Sequence, residues 1–306
     1  MKRFCVAVGE SNRSFRVLLC LCLLPILLGG SGCATAPYHY GTDQEYIHGY
    51  RLPAGEPQIS FGTPHGFLDA SGWIWPGSLM GKLLLWNHKM DSHIVSTQTV
   101  AAIRQYLADN DLRDVKVRIN DYCVGDEWRR TFRNKAIAPG WRYTFGFLSW
   151  LEYTIMPQRF FGGDNYNPYS NTINIYSDLK PVVLHESGHS KDFAGRTYKG
   201  TYAAAYGVVP FFNLYPEAKA SSEALSYLQA QADTATFKEA YALLYPAYGT
   251  YIGGAFGNYL AFPWNYAVQV SVVIPAHIVG RVKAAHVPER LKPHPLPASQ
   301  SVSPRR

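Results

Sequence analysis

The sequence predicts an α+β fold, in which a small sheet with an edge strand lies beside the helix that contains His185 and His189. The first indication is a run of apolar residues at helical spacing over residues 94–110. The second is the alternation of apolar and polar residues over 114–120 and 171–176, which is typical of half-buried strands. The third is the apolar stretch over 240–280, which favours a largely helical C-terminal half.

Two segments between these elements are also assigned from their residue patterns. Residues 141–147 alternate in the manner of a strand, and we expect a further strand there. Residues 161–170 are rich in glycine, asparagine and proline, which indicates a loop. This loop leads directly into the strand over 171–176, so the sheet and the helix that follows should be close together.

The borders of that helix can be read from its flanking residues. Ser177 or Asp178 is a suitable N-cap, because a short polar side chain there accepts a hydrogen bond from the first turn. Pro181 falls in the first turn, where its missing N–H costs nothing. Gly195 is a plausible end for the helix.

The first 32 residues predict a lipoprotein signal peptide. Basic residues precede an apolar run over 17–28 that is too short to span a bilayer comfortably. The small residues 29–32 followed by Cys33 resemble the lipobox of bacterial lipoproteins, so we expect Cys33 to be lipidated. Ala34 is not the aspartate associated with inner-membrane retention, which favours the outer membrane.

Loss of the signal peptide changes the charge and the cysteine content. Four basic residues and one acidic residue leave with it, so the net charge falls from +7 to +4. This mild excess gives no case for nucleic-acid binding. Only Cys123 remains in the folded part, so no intrachain disulfide is expected, and Cys123 should be a small buried apolar residue.

The mature chain is long enough for one large domain. We assign residues 33–60 to a tether, 61–287 to the domain and 288–306 to a disordered tail, on the basis of polar, proline-rich composition at both ends. Residues 240–280 contain no Asp, Glu, Lys or Arg. They are either a pair of helices that packs against the core or a helical hairpin that lies on or dips into the membrane.

The most specific signal is the sequence His185-Glu186-Ser187-Gly188-His189. Residues four apart on a helix lie about 6 Å apart along its axis, on the same face, so both imidazoles can reach one zinc ion. Glu186 lies about 100° around the helix, where it can reach a water on that metal and act as general base.

A catalytic zinc ion normally takes three protein ligands. A third histidine six residues after His189 is absent, because Gly195 stands there. The remaining candidates are two glutamates downstream, Glu217 and Glu223. The spacing alone does not choose between them.

The motif and the segment Glu217-Ala218-Lys219-Ala220-Ser221 resemble the gluzincins, and within them the small membrane-associated peptidases related to HtpX and BepA. In that family the third ligand stands in E-x-x-A-D, and Gly188 matches a frequent form of the motif. The resemblance covers about residues 95–235. It implies a zincin-like fold, peptide hydrolysis with one Zn²⁺, and Glu217 as the third ligand, whereas Ser221 replaces the usual aspartate.

Other residues are candidates for supporting roles. Asp192 lies on the ligand face of the helix, so we expect its carboxylate to orient a ligand histidine. The strand residues Asn174, Ile175 and Tyr176 would pair with the substrate backbone. An oxyanion donor is expected among the tyrosines at 198, 202 and 206.

Together these features predict a zinc metallopeptidase of the bacterial cell envelope. It would be anchored through Cys33, face the periplasm and cleave a polypeptide substrate, an envelope protein. The alternative is a lipoprotein that binds or scaffolds partners without catalysis, with or without a metal. A third possibility is hydrolysis of another amide, such as a peptidoglycan stem peptide.

Overall fold

The structure is a computed structural model, and it describes residues 38–42, 51–161, 163–261 and 263–292. The predicted signal peptide, Cys33 and most of the predicted tail lie outside the described residues. The fold is mixed α+β and mostly helical, with one small sheet.

The sheet has four short strands: β1 (Ile59–Phe61), β2 (Lys116–Ile119), β3 (Asn165–Asn167) and β4 (Thr172–Ile175). Their order is β1-β2-β4-β3, with β1, β2 and β4 parallel and β3 antiparallel to β4. The strands predicted at 114–120 and 171–176 are therefore confirmed, but both are buried throughout and not half-buried as predicted. The predicted loop over 161–170 is wrong in part, because β3 lies within it.

The hairpin of β3 and β4 changes which strand is at the edge. Asn171 has a φ of 55°, and the Asn167 side chain accepts the Tyr169 N–H, so the chain reverses between the two strands. As a result β3 covers β4, and the strand over 171–176 is not the edge strand that the sequence predicted.

Twelve helices accompany the sheet in the part of the chain that the structure describes. They are α1 (Gly66–Ile74), α2 (Pro76–Leu85), α3 (Thr97–Asp109), α4 (Val124–Arg133), α5 (Pro139–Trp141), α6 (Phe147–Ile155), α7 (Gln158–Phe161), α8 (Lys180–Ala194), α9 (Lys199–Val208), α10 (Leu214–Ala230), α11 (Thr234–Gly257) and α12 (Trp264–His286). A π-helical turn (Arg142–Gly146) joins α5 to α6.

The strand predicted over 141–147 is wrong, because this segment is helical. Trp141 and Phe145 stand four residues apart, and both pack against the cluster of Ile137, Tyr169 and Phe193. A helix sets residues four apart only about 6 Å from each other along its axis, so both rings reach the same small cluster, whereas a strand would set them about 13 Å apart.

Helix α8 lies at the centre of the molecule. Nearly all of its residues are buried, including the polar ones. It packs against α3, α10 and α11 and against the sheet, and the shared core includes Ile103, Val117, Ile173, Val183, Leu225 and Leu244. Side chains on α8 are therefore held rigidly on several sides.

The two ends of the domain are more ordered than the sequence predicted. Part of the predicted tether is wrong, since β1 pairs with β2 and the Tyr38 hydroxyl donates to the Asn110 side chain. At the other end, the Leu291 N–H donates to Thr234. Cys123 is exposed, so its predicted burial is also wrong.

Helices α11 and α12 form a close antiparallel pair over the apolar C-terminal segment. A methyl group at Gly253 would come within 2.6 Å of the Gln269 Cα, so the two backbones are in direct contact. Helix α12 is long and apolar enough to cross a membrane, with a mean hydropathy of 1.2, and 33% of that stretch is buried in the protein.

Candidate metal centre

Helix α8 has two of the three border features that its sequence predicts. Pro181 stands in the first turn, and Gly195 follows the last helical residue, as the sequence predicted. The predicted caps are wrong, because the N-cap is Leu179. The Asp178 carboxylate instead accepts hydrogen bonds from Ser96 and Thr99 at the start of α3. This fixes α3 against the beginning of the motif helix.

Three buried side chains on two helices converge on one point. His185 and His189 come from α8 and Glu217 from α10, and their ligand atoms all lie within 4.8 Å of one another. The two Nε2 atoms are 3.2 Å apart, and Glu217 lies 3.0 Å from the His185 Nε2 and 3.4 Å from the His189 Nε2. This group could hold a metal ion.

The donor set and its dimensions fit zinc. Bonds of about 2.0–2.1 Å in a tetrahedral site place neighbouring ligand atoms about 3.4 Å apart. The observed separations of 3.0 to 3.4 Å match that spacing. Two imidazoles and a carboxylate also form a set that leaves a fourth position, which is typical of catalytic rather than structural zinc sites.

Gly188 allows α10 to approach α8 closely enough to deliver Glu217. A methyl group at position 188 would lie 3.0 Å from the Ala220 carbonyl oxygen and 3.2 Å from the Ala220 Cα. Both neighbours are backbone atoms, so they could yield only if the helices moved apart.

Glu223 points to other partners. Its carboxylate accepts hydrogen bonds from the Tyr106 hydroxyl at 2.8 Å and from Lys191 at 2.7 Å. It thus ties α10 to α3 and to the far side of α8, and the alternative third ligand is wrong.

Ser221 contacts the side of the His185 ring that does not face Glu217. The Ser221 hydroxyl lies 3.2 Å from the His185 Nδ1, one helical turn after Glu217. Asp192 does not take the predicted role, because its buried carboxylate is paired with Arg196 at 2.8 Å and with Lys219 at 2.5 Å. Two nearby cations outcompete a neutral imidazole for this carboxylate.

The pKa values of the two glutamates of the centre, Glu186 and Glu217, are shifted in opposite directions. Burial alone would raise the pKa of Glu217, but His189 and His185 outweigh it and hold this pKa well below its usual range. Burial raises the pKa of Glu186 to about 8, and the charges of Glu217 and Asp164 add to the rise. Glu217 is therefore suited to be an anionic ligand, whereas Glu186 is suited to accept and release a proton.

Tyrosine hydroxyls line the other side of Glu217. The Tyr206 hydroxyl on α9 donates to the Glu217 carboxylate, and Tyr251 on α11 approaches the same group. Of the three tyrosines predicted as oxyanion donors, only Tyr206 is placed here. Tyr198 is 78% exposed, and the Tyr202 hydroxyl accepts from Arg196. The sequence carried no signal for Tyr251, which is distant in the chain.

The edge strand beside the centre is β3. Glu186 lies next to it, because the Tyr166 backbone N–H faces the Glu186 carboxylate and lowers its pKa. The predicted substrate strand, Asn174 to Tyr176, is wrong: β2 and β3 flank β4, and Asn174 donates to the Asn165 side chain at 3.1 Å. No backbone edge is left there for a peptide to pair with.

Comparison of the chain with protein-family models, with curated proteins and with solved structures finds no match.

Proposed function

We propose that the protein is a zinc-dependent endopeptidase with a zincin-like catalytic site. The observation that carries this proposal is the convergence of His185, His189 and Glu217 within 4.8 Å, with Glu186 adjacent to the first histidine. A helix that supplies two histidines and a glutamate base, and a second helix that supplies a glutamate ligand, form the arrangement that zinc hydrolysis requires.

The three converging side chains would hold the zinc ion. When bound, zinc supplies Lewis acidity, which lowers the pKa of a water molecule and polarises the carbonyl of an amide. The pKa of Glu217 is held low, so this residue is present as the anionic ligand that zinc needs.

Glu186 carries the proton in this mechanism. Its carboxylate takes a proton from the attacking water and later passes it to the leaving amine. Burial raises the pKa of Glu186 toward neutral pH in the metal-free protein, and a carboxyl in that range can both accept and return a proton. The Tyr166 N–H on β3 helps to keep the carboxylate oriented toward the centre.

Two further elements would bind the substrate. The outer side of β3 is at the end of the sheet, where the Tyr166 N–H faces Glu186, so an extended peptide would lie along this strand beside the catalytic carboxylate. The Tyr206 hydroxyl, which donates to Glu217, would turn to the oxyanion that forms at the scissile carbonyl.

The cellular setting of the proposal comes from the start of the chain. The lipobox-like residues before Cys33 support a lipid anchor on the outer face of a bacterial membrane, with the outer membrane favoured. The substrate would then be a polypeptide of the cell envelope.

The experiment that tests this function is the substitution Glu186→Gln. We expect the purified variant to keep one equivalent of zinc and to lose peptide cleavage, with a fall of at least about 10²-fold, since proton transfer is removed. Glu152→Gln, at an exposed position on α6, is the matched control and should retain both. Full cleavage by the Glu186 variant would overturn the mechanism.

Two observations favour a second function, that of a non-catalytic metal-binding lipoprotein. The ligands are only 1% to 7% exposed, and Ser221 stands where the gluzincins that the motif resembles have aspartate. A protein that binds zinc but cleaves no peptide or peptidoglycan stem peptide, before and after the Glu186→Gln change, would have this function instead.

A further inference from the structure

Helix α12 presents an apolar outer face. Ala267, Val270, Ile274, Ile278 and Ala285 recur in steps of three, four and seven residues, and all are exposed. This spacing places them in one stripe that runs about 27 Å along the helix. Ile274 is 48% exposed and Ile278 is 61% exposed, so these are not residues at the margin of a core.

Helices α1 and α2 present a second apolar surface. Residues 66–86 contain only two charged residues, and both are engaged: Asp69 pairs with Arg159, and the Lys82 ammonium donates to the Ser78 hydroxyl. The exposed large apolar side chains of this segment are Phe67, Leu68, Trp73, Ile74, Leu79, Met80, Leu83 and Trp86. The surface of the two helices is therefore almost free of charge.

Contacts between α2 and α12 join these two surfaces. The Trp86 ring stacks on His277 with ring centroids 3.9 Å apart, and the guanidinium of Arg281 lies 4.7 Å from the Trp86 ring centre. The His277 Nε2 also lies 2.8 Å from the Leu84 carbonyl oxygen. We call the combined surface of residues 66–86 and the outer stripe of α12 the apolar face.

We propose that the apolar face lies on the surface of an anionic phospholipid bilayer. Soluble monomers rarely expose continuous apolar patches of this kind, and large ones mark interaction sites. Arg281 brings a positive charge to the apolar face at Trp86, and residues 264–292 contain four basic residues against a single acid, Glu289, which fits anionic phospholipid head groups. Apolar helices flanked by aromatic and basic residues are typical of segments in the interfacial plane.

The contacts on the inner face of α12 indicate that this helix lies on the bilayer and does not cross it. Besides the contact at Gly253, a methyl group at Gly280 would come within 2.4 Å of the Tyr241 carbonyl oxygen. Helix α12 is thus in backbone contact with α11 at both ends. If α12 crossed the membrane without α11, these contacts would be broken. If α12 lies on the membrane, only its outer face is needed. This inference goes beyond the proposed function and depends neither on zinc nor on lipid at Cys33.

Photolabelling of the full chain tests the proposal. The protein is bound to vesicles of phosphatidylethanolamine and phosphatidylglycerol that contain a diazirine phospholipid, and labelled residues are mapped by mass spectrometry. We expect labels at Leu83, Trp86, Ile274 and Ile278, and none at Tyr198, which is exposed beside the charged residues Arg196 and Lys219. The residue-by-residue map separates this contact from anchoring at the N-terminus.

Paired substitutions give a second readout. Leu83→Glu with Ile278→Glu should reduce labelling of the apolar face at least about tenfold, because each buried leucine or isoleucine contributes that much to partitioning. Tyr198→Glu is the control and should leave labelling unchanged. Circular dichroism should show that all variants are folded.

Three results would overturn the proposal. The first is the absence of labels on the apolar face, and the second is equal labelling at Tyr198. The third is labelling of the inner residues Val272 and Ala276, which would mean that α12 leaves α11 and spans the bilayer. None of these results bears on peptide cleavage measured in detergent.

Discussion

The Ser221 hydroxyl lies 3.2 Å from the Nδ1 atom of His185, on the side of the ring opposite the converging ligand atoms. When Nε2 binds a metal, Nδ1 carries the proton and donates it, and Ser221 is the acceptor. A hydroxyl is a weaker acceptor than an aspartate carboxylate. This pair therefore leads to a first prediction about zinc affinity.

Ser221→Ala should weaken zinc binding by about tenfold or more, because the partner that orients His185 is lost. Ser221→Asp should equal or exceed the wild-type affinity. Competition with a chromogenic chelator measures both. Equal affinities in all three proteins would mean that Ser221 does not orient His185.

The third ligand can be tested by a pair of matched substitutions on α10. Glu217→Gln should abolish stoichiometric zinc binding, since the anionic ligand is removed. Glu223→Gln should keep zinc, because Glu223 bonds to Tyr106 and Lys191. Zinc content after dialysis distinguishes them, and loss of zinc in the Glu223 variant alone would refute the assignment.

Gly188→Ala should lower the free energy of unfolding by about 1–3 kcal/mol, because the added methyl group overpacks the contact with Ala220. It should also weaken zinc binding by moving Glu217 away from the histidines. Urea unfolding with and without zinc measures both effects. Gly125→Ala, where an added methyl group meets open space on α4, is the control. Equal stabilities of the two variants would contradict the close contact.

The pKa of Glu186 predicts a pH dependence of the metal-free protein. Its ordinary value is 4.5 and burial raises it to about 8, so the native state retains a proton that the unfolded chain releases. The resulting stabilisation is fully present below about pH 4.5 and is lost as the pH rises through about 8. The free energy of unfolding should therefore fall between pH 6 and 9, and Glu186→Gln should reduce this fall. A wild type that gains stability over that range, relative to the variant, would contradict the assignment.

Tyr206→Phe should lower kcat by about 10²–10³-fold while zinc is retained, because one oxyanion donor is removed. Tyr198→Phe should have no effect, since Tyr198 is exposed. Steady-state cleavage of a fluorogenic peptide measures the difference. A normal kcat in the Tyr206 variant would mean that another residue, such as Tyr251, is the oxyanion donor.

The features that the sequence predicted best depend on local geometry. His185 and His189 converge because residues four apart on any helix share a face, and Pro181 and Gly195 delimit that helix for equally local reasons. The choice of Glu217 required the family resemblance, because nothing in the spacing says which face of α10 meets α8. Gly188 and Ala220 fix that face.

The failed predictions concern contacts between distant segments. The strand over 171–176 is present, but its burial depends on the hairpin with β3. The polar residues before Asn171 indicated a loop, so β3 was not predicted. Asp192 lies on the correct face of α8, yet Arg196 and Lys219 take its carboxylate. Such competition is decided by tertiary structure, which periodicity alone does not encode.

The most direct test of the account is X-ray absorption at the zinc edge of the purified protein, combined with metal analysis. The account predicts one equivalent of zinc with imidazole nitrogens and a carboxylate oxygen at about 2.0–2.2 Å, and a loss of imidazole signal in His185→Ala and His189→Ala. A protein that takes up less than about a tenth of an equivalent of zinc on titration would contradict it. So would a zinc environment that both substitutions leave unchanged.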